Sequence, residues 1–192
     1  MPSPLILALT QAGYAIVPDF LNPTELADLA FESDTLRENG SFHSAGMGLA
    51  HQLDRRERQD EIHWLEPNAL SVPQAALWAR LELLRQEVDA SLFLGLWSLE
   101  GHYSFYAPGG FYHRHRDSFR NDSARTLSIV IYLNGPWLLE DGGVLRLFPK
   151  GEPVDVIPTG GTLVCFLSNE LEHEVLPSIR VRKSFAGWFS RR

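Results

Sequence analysis

The chain has 192 residues, of which 44% are hydrophobic and 21% charged, and it carries a net charge of −7. That usage belongs to a globular protein able to bury a sizeable core, and it excludes a disordered or fibrous chain. The acidic balance, with its basic residues scattered, excludes the one-sided cationic face that phosphate backbones select, so no nucleic-acid partner is expected.

Cys165 is the single cysteine, which excludes an intrachain disulfide and a cysteine-built zinc site and fits a cytoplasmic location. At the start, "MPSPLILALTQAGYAIV" has a short apolar run without a basic flank or a small-residue cleavage site, and Gln11 and Gly13 interrupt it. It reads as a helix packed on the rest of the molecule, with no membrane partner.

In "LNPTELADLAFESDTL", Asn22, Pro23 and Glu25 supply an N-cap, a first-position proline and an acidic third position, followed by Leu26, Leu29, Ala30 and Leu36 at helical spacing. "VPQAALWARLELLRQEVDASLFL" predicts a second amphipathic helix with Leu77, Leu81, Leu84 and Val88 on one face. Between them, "RENGSFHSAGMGLAHQLDRRERQDEIHWLE" is a long connection rich in Gly, Ser and charge, of a length usually reserved for function or disorder.

From about Leu96 the period becomes two. "LWSLEGHYSFYA", "RTLSIVIYLNG", "GGVLRLFP", "EPVDVIP", "GTLVCFLS" and "RKSFAGWFS" are short β-branched and aromatic segments separated by turn residues. The expected class is mainly β with flanking helices (α+β), an antiparallel sandwich or barrel with helices outside. One domain over 1–192 is expected, with 1–94 as helical support and substrate loop and 95–192 as the β core.

Chemistry concentrates in "FYHRHRD", residues 111–117. On a strand, successive same-face residues lie roughly 6.6 Å apart. Metal bonds to nitrogen or oxygen are about 2.0–2.2 Å, so only one neighbouring pair can reach one ion. Spacing leaves two choices, His113 with His115 or His115 with Asp117. The first would suggest a cupin, but the places where that fold wants a glutamate are Phe119 and Arg120. The second gives two-thirds of the facial triad of two histidines and a carboxylate that holds non-haem Fe(II), with His173 in the later β region as the third member.

Arg182 follows His173 by nine residues (182 − 173) and opens a β-patterned segment. His-x-Asp, a distant His and a basic residue about ten positions later together resemble the 2-oxoglutarate- and Fe(II)-dependent dioxygenases. "FYAPGGFYHRHRD", "IYLNGPW", "GGVLRLFP" and "HEVLPSIRVRKSFAGWF" further resemble, in order, the motifs of the prolyl hydroxylase branch, which includes the oxygen-sensing enzymes, and "RQDEIHWLE" resembles the segment beneath its substrate loop.

The resemblance implies a distorted double-stranded β-helix (jelly roll) with N-terminal helices packed on one sheet. It implies His115, Asp117 and His173 as Fe(II) ligands and Arg182 as the partner of the distal 2-oxoglutarate carboxylate, a task that suits a planar, always charged fork. Arg180 and Lys183 are rivals by type only. Tyr132 and Tyr106 are implied at the cosubstrate, and Arg125, Arg58, Asp60 and Trp64 at the substrate. His113 is read as a same-face neighbour that packs or hydrogen-bonds near the site, and Cys165 as a buried small hydrophobe. Residues 118–124 depart in length from the family pattern.

The implied reaction consumes O2 and 2-oxoglutarate, yields succinate and CO2, and hydroxylates an unactivated C–H bond, with ascorbate as a candidate reductant. A proline in a protein or peptide is the expected substrate, in family terms a translation factor or ribosomal protein. The alternatives are a metabolite oxygenase and a jelly-roll binding module without turnover. A nucleic-acid demethylase would carry a second arginine six residues beyond the first, where this chain has Trp188.

Overall fold

A computed structural model describes residues 2–46, 54, 56–117 and 125–192. The connection over 37–66 is thus described only in part, and 118–124 lie outside the described residues. Helix α1 (Pro4–Ala12) ends at Gly13, whose φ of 77° turns the chain into strand β1 (Tyr14–Val17). The opening segment is therefore a helix and a strand where a helix alone was expected. Gly13 supplies the left-handed turn, and the alternation after it serves a sheet edge.

Helix α2 (Pro23–Glu38) begins at the expected capping box: the Asn22 side chain accepts from the Thr24 and Glu25 amides, and Glu25 accepts from the Asn22 amide. Strands β2 (His43–Ser44) and β3 (Asp60–Trp64) follow, then helix α3 (Val72–Leu92), capped by Ser71. The remaining strands are β4 (Leu96–Tyr106), β5 (Tyr112–His115), β6 (Arg125–Tyr132), β7 (Leu145–Phe148), β8 (Val154–Val156), β9 (Leu163–Leu167), β10 (Glu172–Val175) and β11 (Arg182–Arg191). No described helix is long and apolar enough to cross a membrane.

The strands form two antiparallel sheets, one ordered β1-β9-β6-β11-β4-β3-β2 and the other β5-β10-β7-β8. They face each other as a double-stranded β-helix, with the three helices packed on the outer face of the larger sheet. The first ninety-odd residues, read from sequence as helical support, also supply β1, β2 and β3 to that sheet. Such short strands carry too little alternation to show in the sequence, and their partners β9 and β4 lie far along the chain.

Alternation along the long strands decides which residues reach the interior. On β6, Leu127, Ile129 and Ile131 pack against the helices, and on β11 Phe185 and Phe189 do so. Their neighbours Ser128, Tyr132, Arg182, Ser184 and Trp188 consequently point toward the second sheet. Room for the Phe185 ring comes from the cross-strand pair Gly101 and Gly187, because a Cβ on either would collide with that ring. A second core, including Tyr106, Leu145, Leu147, Val164, Phe166 and Val175, fills the space between the sheets.

Candidate active site

Strands β5 and β10 pair antiparallel with His115 directly opposite His173, and the chain leaving β5 brings Asp117 back toward both. The Nε2 atoms of His115 and His173 lie 3.5 and 3.6 Å from Asp117 Oδ1, and one donor atom from each residue falls within 4.8 Å of the others. Two imidazoles and one carboxylate gathered on one side could hold a divalent ion and leave further positions open. His115 is oriented by its Nδ1, 2.7 Å from the His113 carbonyl, and by stacking on Tyr112 at 3.5 Å between centroids.

Of the two pairs that spacing allowed, the fold brings together His115 and Asp117. Of the two roles read for His113 from sequence, the structure shows the hydrogen bond, made by its carbonyl to His115, and not the side-chain packing. The His113 side chain is exposed against Phe111, because β5 bulges between Tyr112 and His115: Tyr112 stacks on His115 and the alternation that would align His113 is lost.

Burial opposes ionisation of Asp117, but His173, His115 and the Ser128 hydroxyl outweigh it and hold the carboxyl well below the usual range. Burial pulls the His173 imidazole down to about 4, against the opposing pull of Asp117. At neutral pH the cluster therefore presents an ionised carboxylate and a neutral His173, the forms a metal ion requires.

Arg182 opens β11 and is 2% exposed. Its Nε donates to the Gly143 carbonyl at 2.9 Å, its guanidinium lies 5.1 Å from the ring centroids of both Tyr106 and Tyr132, and no described carboxylate pairs with it. Nearby, the buried Tyr132 hydroxyl has no hydrogen-bond partner among the described residues, and burial pushes it up to about 12 although Arg182 opposes the shift. A buried cation and an orphaned buried donor side by side are costly unless an anion joins them. Arg180 is not a rival: β11 starts at Arg182, and Arg180 pairs at the surface with Asp141. Lys183 points to the opposite face and binds Asp34.

A cleft of about 1100 Å3 opens over this cluster and is lined by His115, Asp117, His173 and Arg182, with Arg58, Trp64, Arg125 and Trp188 farther out. Arg125 lies 3.8 Å over the Trp188 ring and bonds Glu100 at 2.7 Å. Asp60 does not line this cleft. It sits 3% exposed behind Arg58 and accepts its fork, so its contribution is to aim that arginine.

Sequence reasoning missed Trp188 and His102, both in the cleft wall, and Ser128 behind Asp117. The signal for the first was available, since Trp188 shares the β11 face of Arg182 at even spacing. Buried His102 meets the edge of Trp64 at 4.8 Å and contacts Ser104 Oγ at 3.1 Å.

Burial, with Arg58 adding and Asp60 opposing, pulls the His102 imidazole from 6.5 to about 3. The unfolded chain then binds the extra proton first, so stability falls as pH drops below about 6.5, by at most about 1.4 kcal/mol per pH unit for this group. His173 acts in the same direction in metal-free protein. Urea unfolding of metal-free protein between about pH 6.5 and pH 5 should give a shallower stability slope for His102→Gln than for the parent; equal slopes would contradict the assignment.

A sequence model of the 2OG-Fe(II) oxygenase superfamily matches residues 101–190. A prolyl-4-hydroxylase structure from Pseudomonas putida is 38% identical, covers 100% of both chains and superposes with a TM-score of 0.90. A prolyl hydroxylase from Trichoplax adhaerens, solved with a fragment of the hypoxia-inducible factor oxygen degradation domain, superposes at 0.88 with 23% identity over 97% of this chain and 87% of that one. The hypoxia-inducible factor prolyl hydroxylase of Caenorhabditis elegans is 28% identical over 96% of this chain, which spans only 27% of that protein's length. Fe(II) and 2-oxoglutarate fit what the residues offer: an N,N,O cluster in its metal-binding forms, and a buried arginine beside a tyrosine hydroxyl that no described residue pairs, which together suit a carboxylate. The chain belongs to the 2OG-Fe(II) oxygenase superfamily and is an Fe(II)- and 2-oxoglutarate-dependent dioxygenase of its prolyl hydroxylase-like branch.

Proposed function

We propose that the protein hydroxylates a prolyl residue of a protein or peptide, with His115, Asp117 and His173 as the Fe(II) ligands and Arg182 as the cosubstrate anchor. The observation that carries this reading is the juxtaposition of the three-ligand cluster with a buried Arg182, paired with no described carboxylate, at the floor of an open cleft. When bound, Fe(II) and 2-oxoglutarate supply with O2 the oxidant for C–H hydroxylation, giving succinate and CO2.

The chain's own residues do the rest. The Arg182 fork holds the distal carboxylate of 2-oxoglutarate and the Tyr132 hydroxyl donates to it, while Tyr106 closes the other side of the guanidinium. Leu145 and Val175, apolar and buried, line the floor beside the ligands and exclude water from it. Arg58, Arg125, Trp64 and Trp188 line the outer cleft, where a polypeptide can lie with its proline directed inward. A translation factor or ribosomal protein is the proposed target class, a reading carried by the family resemblance.

The test is mass spectrometry of proline-containing peptides and of a ribosomal protein fraction incubated with Fe(II)-loaded enzyme and 2-oxoglutarate. An added oxygen on proline that depends on 2-oxoglutarate and matches succinate release supports the reading. An active enzyme that oxidises only free small molecules sinks it in favour of a metabolite oxygenase.

A further inference from the structure

Asp117 has two carboxylate oxygens, and the fold treats them differently. Oδ1 faces the Nε2 atoms of His115 and His173. Oδ2 accepts a 2.7 Å hydrogen bond from the Ser128 hydroxyl. Ser128 stands on the inward face of β6, 1% exposed, and the hydroxyl of Ser168, 0% exposed, lies 2.8 Å from its own. A serine has one proton to give, and the Ser128 proton is committed to a carboxylate that can only accept. Ser168 must therefore donate to Ser128, forming a two-hydroxyl chain that ends on Oδ2. Its far end is anchored, because the Ser168 amide donates to the Thr126 carbonyl at 3.0 Å.

We infer that Ser128, oriented by Ser168, is a positioning residue that holds the Asp117 carboxylate with Oδ1 turned toward the two imidazoles. This rests on the ligand assignment proposed above. A donor held on Oδ2 fixes the rotation of the carboxylate and so the direction in which Oδ1 faces, and buried hydroxyl chains strengthen one another. A metal ion held by His115, Asp117 and His173 would then meet a carboxylate oxygen already aimed at it, with no rotation of the side chain to be frozen on binding.

The test uses anaerobic full-length protein, and neither of its readouts requires turnover: the Mn(II) dissociation constant by titration, and the visible charge-transfer band formed with Fe(II) and 2-oxoglutarate. Ser128→Ala should weaken Mn(II) by about tenfold to a hundredfold and displace the band, as outer-shell partners of metal ligands do. Ser128→Thr, which keeps the hydroxyl, should restore both, and Ser168→Ala should move both in the same direction by less. Melting of the metal-free variants checks folding. Should Ser128→Ala fail to fold, Ser168→Ala decides on the same two readouts. Parent-like affinity and band in the folded alanine variant, or no rescue by threonine, overturns the inference while leaving the ligands in place. Failure of the parent to bind Mn(II) overturns the ligand assignment and this inference with it.

Discussion

Replacing Asp117 by alanine should eliminate 2-oxoglutarate turnover and weaken metal binding by more than about a hundredfold, exceeding the tenfold to hundredfold cost of disturbing a mere outer-shell partner. The carboxylate is the anionic member of the cluster, and both imidazole Nε2 atoms converge on its Oδ1. Without it, two histidines must hold a divalent cation with no anionic ligand from the cluster. Without metal the variant should fold, because its loss leaves Ser128 bonded to Ser168 and relieves a buried carboxylate of its desolvation. Titration with Mn(II) and a succinate assay check the expectation. Retention of even a tenth of parental turnover would remove Asp117 from the ligand set.

Arg182→Met should separate cosubstrate binding from folding. In the parent the guanidinium is 2% exposed with only neutral partners among the described residues, the Gly143 carbonyl and the Ser184 hydroxyl, so it carries an uncompensated desolvation cost until a carboxylate arrives. A methionine of similar length removes that cost, and the variant without ligands should melt at or above the parental temperature. Truncating one partner of a buried, hydrogen-bonded charge pair costs about 2–5 kcal/mol, or about 30-fold to several thousandfold in the 2-oxoglutarate Kd. At about a hundred times its Kd, 2-oxoglutarate should add about 2.7 kcal/mol to the parent, about 5–10 °C in Tm for a chain of this size, and nothing to the variant. Arg182→Lys should recover part of the affinity, since an ammonium keeps the charge but not the two-pronged geometry. A variant that still melts higher with 2-oxoglutarate would show that the carboxylate is held elsewhere.

Both experiments concern residues that the sequence had already singled out, for different reasons. His115, Asp117 and His173 were legible because metal chemistry restricts residue type and a strand restricts reach, yet spacing alone left His113 and Asp117 as equal partners for His115. The choice fell to a bulge between Tyr112 and His115 that turns the His113 side chain away, and to the chain beyond His115, which brings Asp117 to His173. Arg180 and Arg182 were equivalent on an ideal strand, and the start of β11 at Arg182 separated them. Asp60 belonged to the neighbourhood of the substrate but not to its surface, a distinction of burial that composition does not carry.

By itself the sequence determined the period-two core, the helix capped at Asn22, the amphipathic helix after it and the residue types that restrict the chemistry, all of which follow from interactions within a few positions of each residue. Tertiary structure alone decided that β1, β2 and β3 join the larger sheet, that Ser128 and Ser168 meet behind Asp117, and that Trp188 and His102 wall the cleft. These depend on antiparallel register between segments tens of residues apart. A one-residue change of register would turn each of those side chains to the opposite face.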